Sequence, residues 1–156
     1  MKPIEKLVEY LVAHKLTLAL AESCTGGLLS SLLVNIPGSS AWYKGGVISY
    51  SEEAKSVLLS VDQELLRRYG AVSSEIVESM SKGVANVLNS DLSIAISGIA
   101  GPSGGTEEKP VGLVWIATRS RDAQLVQSYL FSGSRSEIRQ MACDKALVQI
   151  SQLLKI

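Results

Sequence analysis

Two short apolar runs constrain the fold most: "LTLALAE" at 16–22 and "LSIAIS" at 92–97. Each reads as a buried strand, and stretches of helical period separate them. Ahead of the first run, Pro3 suits a helix start, and Ile4, Leu7, Val8, Leu11 and Val12 recur on one face. After it, "GGLLSSLLVNI" reads as a helix capped by Ser23 or Thr25 and ended by "PGSS". "GGVISYS" reads as a second strand closed by Tyr50. "SEEAKSVLL" follows with Ser51 as N-cap, and "DQELLRRYG" reads as a short helix closed by Gly70. Ser73 or Ser74 caps a further helix with an apolar stripe at Ile76, Val77, Met80, Val84, Val87 and Leu88. "VGLVWIAT" and "AQLVQSYLF", joined by the tight "RSRD" turn, read as an antiparallel hairpin, and an amphipathic helix runs from Ser134 to Ile156. The order α β α β α α β β β α predicts one α/β domain over 1–156. It is a three-layer α/β/α sandwich on a mixed, mostly parallel sheet of about five strands.

Composition narrows the function. Of 156 residues, 46% are hydrophobic and 19% charged, and 15 basic residues balance 15 acidic ones. A neutral chain without a basic run has no electrostatic support for a nucleic-acid partner. No apolar run is long enough to span a bilayer, and the charged, helix-period start is unlike a signal peptide, so no membrane partner and a cytoplasmic location are expected. Cys24 and Cys143 are too few for a disulfide framework and too isolated for zinc, so neither a metal nor a cofactor is expected. His14 is the only histidine and lies inside the first amphipathic helix, between Ala13 and Lys15, which argues against a His-based triad or metal cluster.

The chemistry then falls on the turn after the first strand, "ESCTGG". A serine there can be a helix cap, or a nucleophile beside unpaired backbone N–H groups. Gly26 and Gly27 keep side chains out of the way of a substrate. A serine nucleophile needs a base, and without a usable histidine the candidate is a lysine of depressed pKa. Lys55 lies just past the second strand, as Ser23 lies just past the first, and strand carboxyl ends gather ligand sites in α/β sheets. Tyr50, beside Lys55, offers a hydroxyl to relay a proton or bind an amide oxygen. Cys24 is an alternative nucleophile that only helix-end electrostatics would activate. A second constellation is the glycine-rich loop "SGIAGPSGGTEEKP". It matches neither the P-loop nor the dinucleotide fingerprint, but its amides can cradle an anion, with Ser97 at its root and Thr106 near its middle. Arg135 and Arg139 oppose the dipole at the start of the last helix, which points to another reason for them.

Three blocks, "AESCTGGLLSSLLVNIPGSSAWYKGGVISYSEEAK", "GAVSSEIVESMSKGVA" and "ISGIAGPSGGTEEKPVGLVWIA", resemble the C-terminal domain of the CinA competence/damage-inducible family over almost the whole chain. The resemblance implies the three-layer fold. It also implies an amidase that hydrolyses nicotinamide mononucleotide to nicotinic acid mononucleotide and ammonia. Ser23 falls on the family's nucleophile, Lys55 on its lysine partner and Tyr50 on its active-site tyrosine, while Ser97 stands where many members have threonine. On that basis the amides of Cys24, Thr25, Gly26 and Gly27 are candidates for the oxyanion. Gly101, Gly104, Gly105, Thr106 and Arg135 are candidates for the ribose phosphate. The expected partner is a small nucleotide, and the expected assembly a homo-oligomer such as a dimer. The alternative is a catalytically weak nucleotide-binding or regulatory module. Functions tied to the N-terminal molybdopterin-binding-like domain of longer members are not expected of these residues.

Overall fold

A computed structural model describes residues 1–156. Six helices and five strands follow the chain: α1 (Pro3–His14), β1 (Leu18–Glu22), α2 (Leu28–Val34), β2 (Tyr43–Ile48), α3 (Glu52–Leu59), α4 (Gln63–Tyr69), α5 (Ser74–Leu88), β3 (Leu92–Gly98), β4 (Leu113–Arg119), β5 (Gln124–Leu130) and α6 (Arg135–Leu154). A short 3₁₀ turn, Ser39–Ala41, precedes β2. The sheet order is β2-β1-β3-β4-β5. β1 pairs in parallel with β2 and β3, while β4 runs antiparallel to both β3 and β5. Four of the five strands therefore point the same way, and the sheet is mixed as predicted.

The strand pleat sorts side chains into two cores. Leu18, Leu20, Ile94, Ile96, Val114 and Ile116 face one side, where α1, α2 and α6 cover them. Ala19, Ala21, Ala95 and Ala117 face the other, under α3, α4 and α5. The small residues leave room for α5, whose Gly83 packs so closely on the α3 backbone that a Cβ would overlap the Leu59 carbonyl. These layers explain why β1 and β3 are apolar at almost every position: both faces are buried. No helix is long and apolar enough to cross a membrane.

Three local expectations are corrected. Three helices, not two, separate β2 from β3, because α3 forms on its own, with Ser51 Oγ accepting from the Ala54 N–H at 3.0 Å. β2 starts at Tyr43 and stops at Ile48, so Tyr50 lies beyond the strand. α2 starts at Leu28 after a left-handed Gly27, with no cap from the Ser23 or Thr25 side chain. The other boundaries follow the predicted signals. Ser73 caps α5, Ser134 and Glu137 form a capping box at α6, and the Ser120 N–H closes the hairpin on the Ala123 carbonyl.

Candidate functional site

The carboxyl ends of the parallel strands β2, β1 and β3 lie side by side, the place where open α/β sheets form ligand crevices. A cleft of about 310 Å³ opens there, near the lower end of the range for small-molecule sites. β1 delivers Ser23 and Cys24 to it, β2 leads into Tyr50 and Lys55, and β3 runs into the loop Gly98–Gly104 that forms its far wall. A larger cleft of about 650 Å³ between α3 and α4 shares Glu52 with it but is lined by neither Ser23 nor Lys55.

At the floor, Lys55 Nζ lies 2.9 Å from Ser23 Oγ and 2.6 Å from the Ser49 carbonyl. Ser51 caps α3, which places Lys55 one turn into the helix with its side chain turned inward. The lysine is only 1% exposed and has no carboxylate in salt-bridge range. Burial therefore dominates its ionisation and lowers the amine from 10.5 to about 8, against a smaller opposing pull from Cys24 and Glu52. Burial has the opposite effect on Cys24: its thiol is pushed up to about 11, so it stays protonated at neutral pH. The geometry brings together a hydroxyl and an amine that loses its proton far more readily than an exposed lysine, about a tenth of it uncharged at pH 7.

The turn between β1 and α2 is held by two side chains of opposite charge. Glu22, 1% exposed, accepts from the Leu29 N–H through Oε1, and from the Ser30 N–H and hydroxyl through Oε2. It is thus the cap of α2, and the Tyr43 hydroxyl supports it through Ser30 Oγ at 2.7 Å. On the other side, Arg139 donates from Nε to the Cys24 carbonyl at 3.0 Å and from Nη2 to the Thr25 carbonyl at 2.8 Å. The Ser23 N–H is spent on Ile96 and the Gly26 N–H on Ser23, whereas the N–H groups of Cys24, Thr25 and Gly27 have no partner in the protein.

This corrects the origin of the free donors. The start of α2 is already satisfied, and the unpaired amides belong to the turn before it. Gly26 and Gly27 are required by their backbone, at φ 57° and 98°, rather than by clearance for a ligand, and neither lines the cleft. Thr25 is fully buried and does not line it either.

At the rim, Arg135 donates from Nη1 to the Gly101 carbonyl at 2.7 Å and from Nη2 to the Tyr50 hydroxyl at 3.0 Å. Tyr50 is 63% exposed, and its hydroxyl is engaged with Arg135, not with the Ser23–Lys55 pair. Ser97 lines the cleft, but its hydroxyl donates to the Ala71 carbonyl at 2.8 Å and so ties β3 to the loop before α5. Gly101 and Gly104 line the cleft, while Gly105 and Thr106 do not. Gly105 packs on Val111, and the Thr106 hydroxyl accepts from the Lys109 N–H at 3.0 Å inside its own turn.

Sequence reasoning placed Ser23, Lys55, Tyr50, Arg135 and part of the glycine loop together. It missed Glu22 and named Arg139 without a partner. Two signals were available. An acidic residue closes an otherwise apolar strand, and the spacing of Arg135 and Arg139 puts both on one face of α6.

The fold and this cleft define the class: a three-layer α/β/α protein with a buried serine–lysine pair at the carboxyl ends of its parallel strands. Residues 2–154 match the family model of the CinA C-terminal domain, and the chain belongs to that family. It is 48% identical over 151 residues to a CinA-like protein of Thermotoga neapolitana, covering 97% of this chain and 37% of that protein. The chain thus spans about a third of the length of the curated relatives it matches. Among solved structures, competence damage-inducible protein A of Klebsiella pneumoniae superposes with a TM-score of 0.94 at 35% identity, covering 98% of this chain and 95% of the other. A CinA superfamily protein of Escherichia coli gives 0.93 at 36%, covering 97% and 88%.

Proposed function

We propose that the protein is an amidase that hydrolyses nicotinamide mononucleotide to nicotinic acid mononucleotide and ammonia, with Ser23 as nucleophile and Lys55 as its base. The observation that carries this reading is the 2.9 Å approach of a buried lysine amine to a serine hydroxyl at the floor of a cleft. Neutral Lys55 takes the hydroxyl proton as Ser23 Oγ bonds to the carboxamide carbon. The oxyanion that forms is met by the unpaired amide of Cys24, which lines the cleft, a donor of a kind worth about 3 to 4 kcal/mol in acyl-transfer sites. Lys55, now an ammonium held by the Ser49 carbonyl, gives its proton to the departing nitrogen, and ammonia leaves an ester on Ser23. Water, deprotonated by Lys55, attacks that ester; the acid departs and the hydroxyl is restored. Arg135 and Tyr50 at the rim then receive the phosphate end of the nucleotide.

Ammonia release from the mononucleotide, its riboside and free nicotinamide tests the proposal. Activity on the nucleotide and little on the other two supports it. Preference for an unphosphorylated amide assigns the site to a different amidase. No release from any of them leaves a nucleotide-binding or regulatory role, the reading closer to the name of a relative from Moorella thermoacetica, "Putative competence-damage inducible protein".

A further inference from the structure

We propose that Glu52 is a specificity residue that recognises the cationic pyridinium ring of the substrate; this rests on the amidase reading above and deepens it. Ser51 caps α3, so Glu52 is the first residue of the helix and Lys55 follows it on the same face, where the roots of two such side chains lie roughly 5 to 6 Å apart. Long side chains on a helix point back toward its N-terminus. Lys55 does so: its amine reaches back to the Ser49 carbonyl and Ser23 Oγ, alongside Glu52. Glu52 lines the cleft together with Ser23 and Lys55, and its side chain is exposed.

Its carboxylate is free to meet a ligand. The two ion pairs of the protein, Arg67–Glu64 and Arg121–Asp91, lie elsewhere, and Arg135 donates to Gly101 and Tyr50 instead. Glu52 is the one acidic residue on a cleft whose other charged groups, Lys55 and Arg135, are basic. In the free protein a carboxylate here works against the base, because it favours the ammonium form of Lys55 that burial disfavours. The dipole at the start of α3 favours an acid, but Glu53 supplies one without lining this cleft. A cationic ligand gives the charge of Glu52 a use. Nicotinamide mononucleotide carries a fixed positive charge on the ring that bears its carboxamide, and negative charge on its phosphate. With the carboxamide carbon at Ser23 Oγ, the ring comes within reach of the carboxylate beside Lys55, and Arg135 is left for the phosphate. The cleft thus selects N-substituted pyridinium carboxamides over amides of an uncharged ring.

Calorimetric titration of Ser23→Ala, with and without Glu52→Gln, tests this. The ligands are nicotinamide mononucleotide and its dihydropyridine form, which has the same carboxamide, ribose and phosphate on an uncharged ring. Glu52→Gln is expected to weaken Kd for the charged ring about 3- to 10-fold and to leave the uncharged one within about 2-fold. In protein that keeps Ser23, Glu52→Gln should raise KM for the mononucleotide by a similar factor near about pH 9, where Lys55 has lost its proton, with kcat little changed. The ring charge is the same in the ground and transition states, so its recognition belongs in KM. Thermal unfolding checks that the exposed substitution leaves the fold intact. Equal weakening of both ligands, or of neither, overturns the inference and leaves the amidase reading standing. Failure of both nucleotides to bind Ser23→Ala overturns the two together.

Discussion

Replacing Lys55 by methionine separates what this residue does for function from what it costs the fold. Methionine fills nearly the same volume without a charge. In wild type, burial holds the amine at about 8 instead of 10.5. The charged form therefore costs the folded state about 3 kcal/mol at neutral pH, because each unit of pKa is worth about 1.4 kcal/mol. The substitution also removes the hydrogen bonds to Ser23 Oγ and the Ser49 carbonyl, at about 1 kcal/mol each. The variant is expected to be inactive and about 1 kcal/mol more stable than wild type near pH 7.

The pH dependence sharpens this. The folded pKa lies below the unfolded one, so the cost is full below about pH 8 and disappears as pH rises toward about 10.5, where the unfolded chain binds the extra proton. Wild type should gain about 3 kcal/mol on Lys55→Met across that window, and the order of stability should reverse. Urea denaturation of both proteins from about pH 7 to about pH 10.5 measures it. The tyrosines and other lysines titrate in both proteins and cancel in the difference. An offset that stays constant with pH would refute the claim that burial holds this amine low.

Two further outcomes follow from the same geometry. The rate of ammonia release should rise with pH through about 8 and then level, since only the uncharged amine accepts the serine proton; a flat profile across that range would exclude Lys55 as the base. Glu22→Ala strips the acceptor from three donors at the start of α2, two of them backbone amides, and should cost about 2 to 4 kcal/mol in urea unfolding, whereas a loss below about 1 kcal/mol would show that water replaces the carboxylate without penalty.

The layered architecture was legible because burial on both faces leaves a direct mark on β1 and β3: runs with almost no polar residue. The adjacency of Ser23 and Lys55 was legible for a related reason, since both follow strands that the α/β alternation predicts to be parallel. β2 was harder. It is an edge strand with two glycines, and Gly46 is needed because a Cβ there would crowd Ser30 Oγ and the Tyr43 hydroxyl. Its sequence carries little strand signal, and the end of the strand, and with it Tyr50, was misplaced. Thr106 shows a different limit. A threonine hydroxyl in a loop can serve a ligand or its own turn, and here the Lys109 N–H takes it. Glu22 and Arg139 act on backbone groups of one turn, from its beginning and from a helix 115 positions along the chain from Cys24, and no local pattern reports a contact of the second kind.

The most direct measurement is mass spectrometry of the protein quenched during turnover of nicotinamide mononucleotide, with Ser23→Ala run beside it. The serine–lysine reading predicts a nicotinate mononucleotide ester on Ser23 in wild type, and neither adduct nor ammonia above background in the variant. An adduct on Cys24, or undiminished ammonia release by Ser23→Ala, would contradict it.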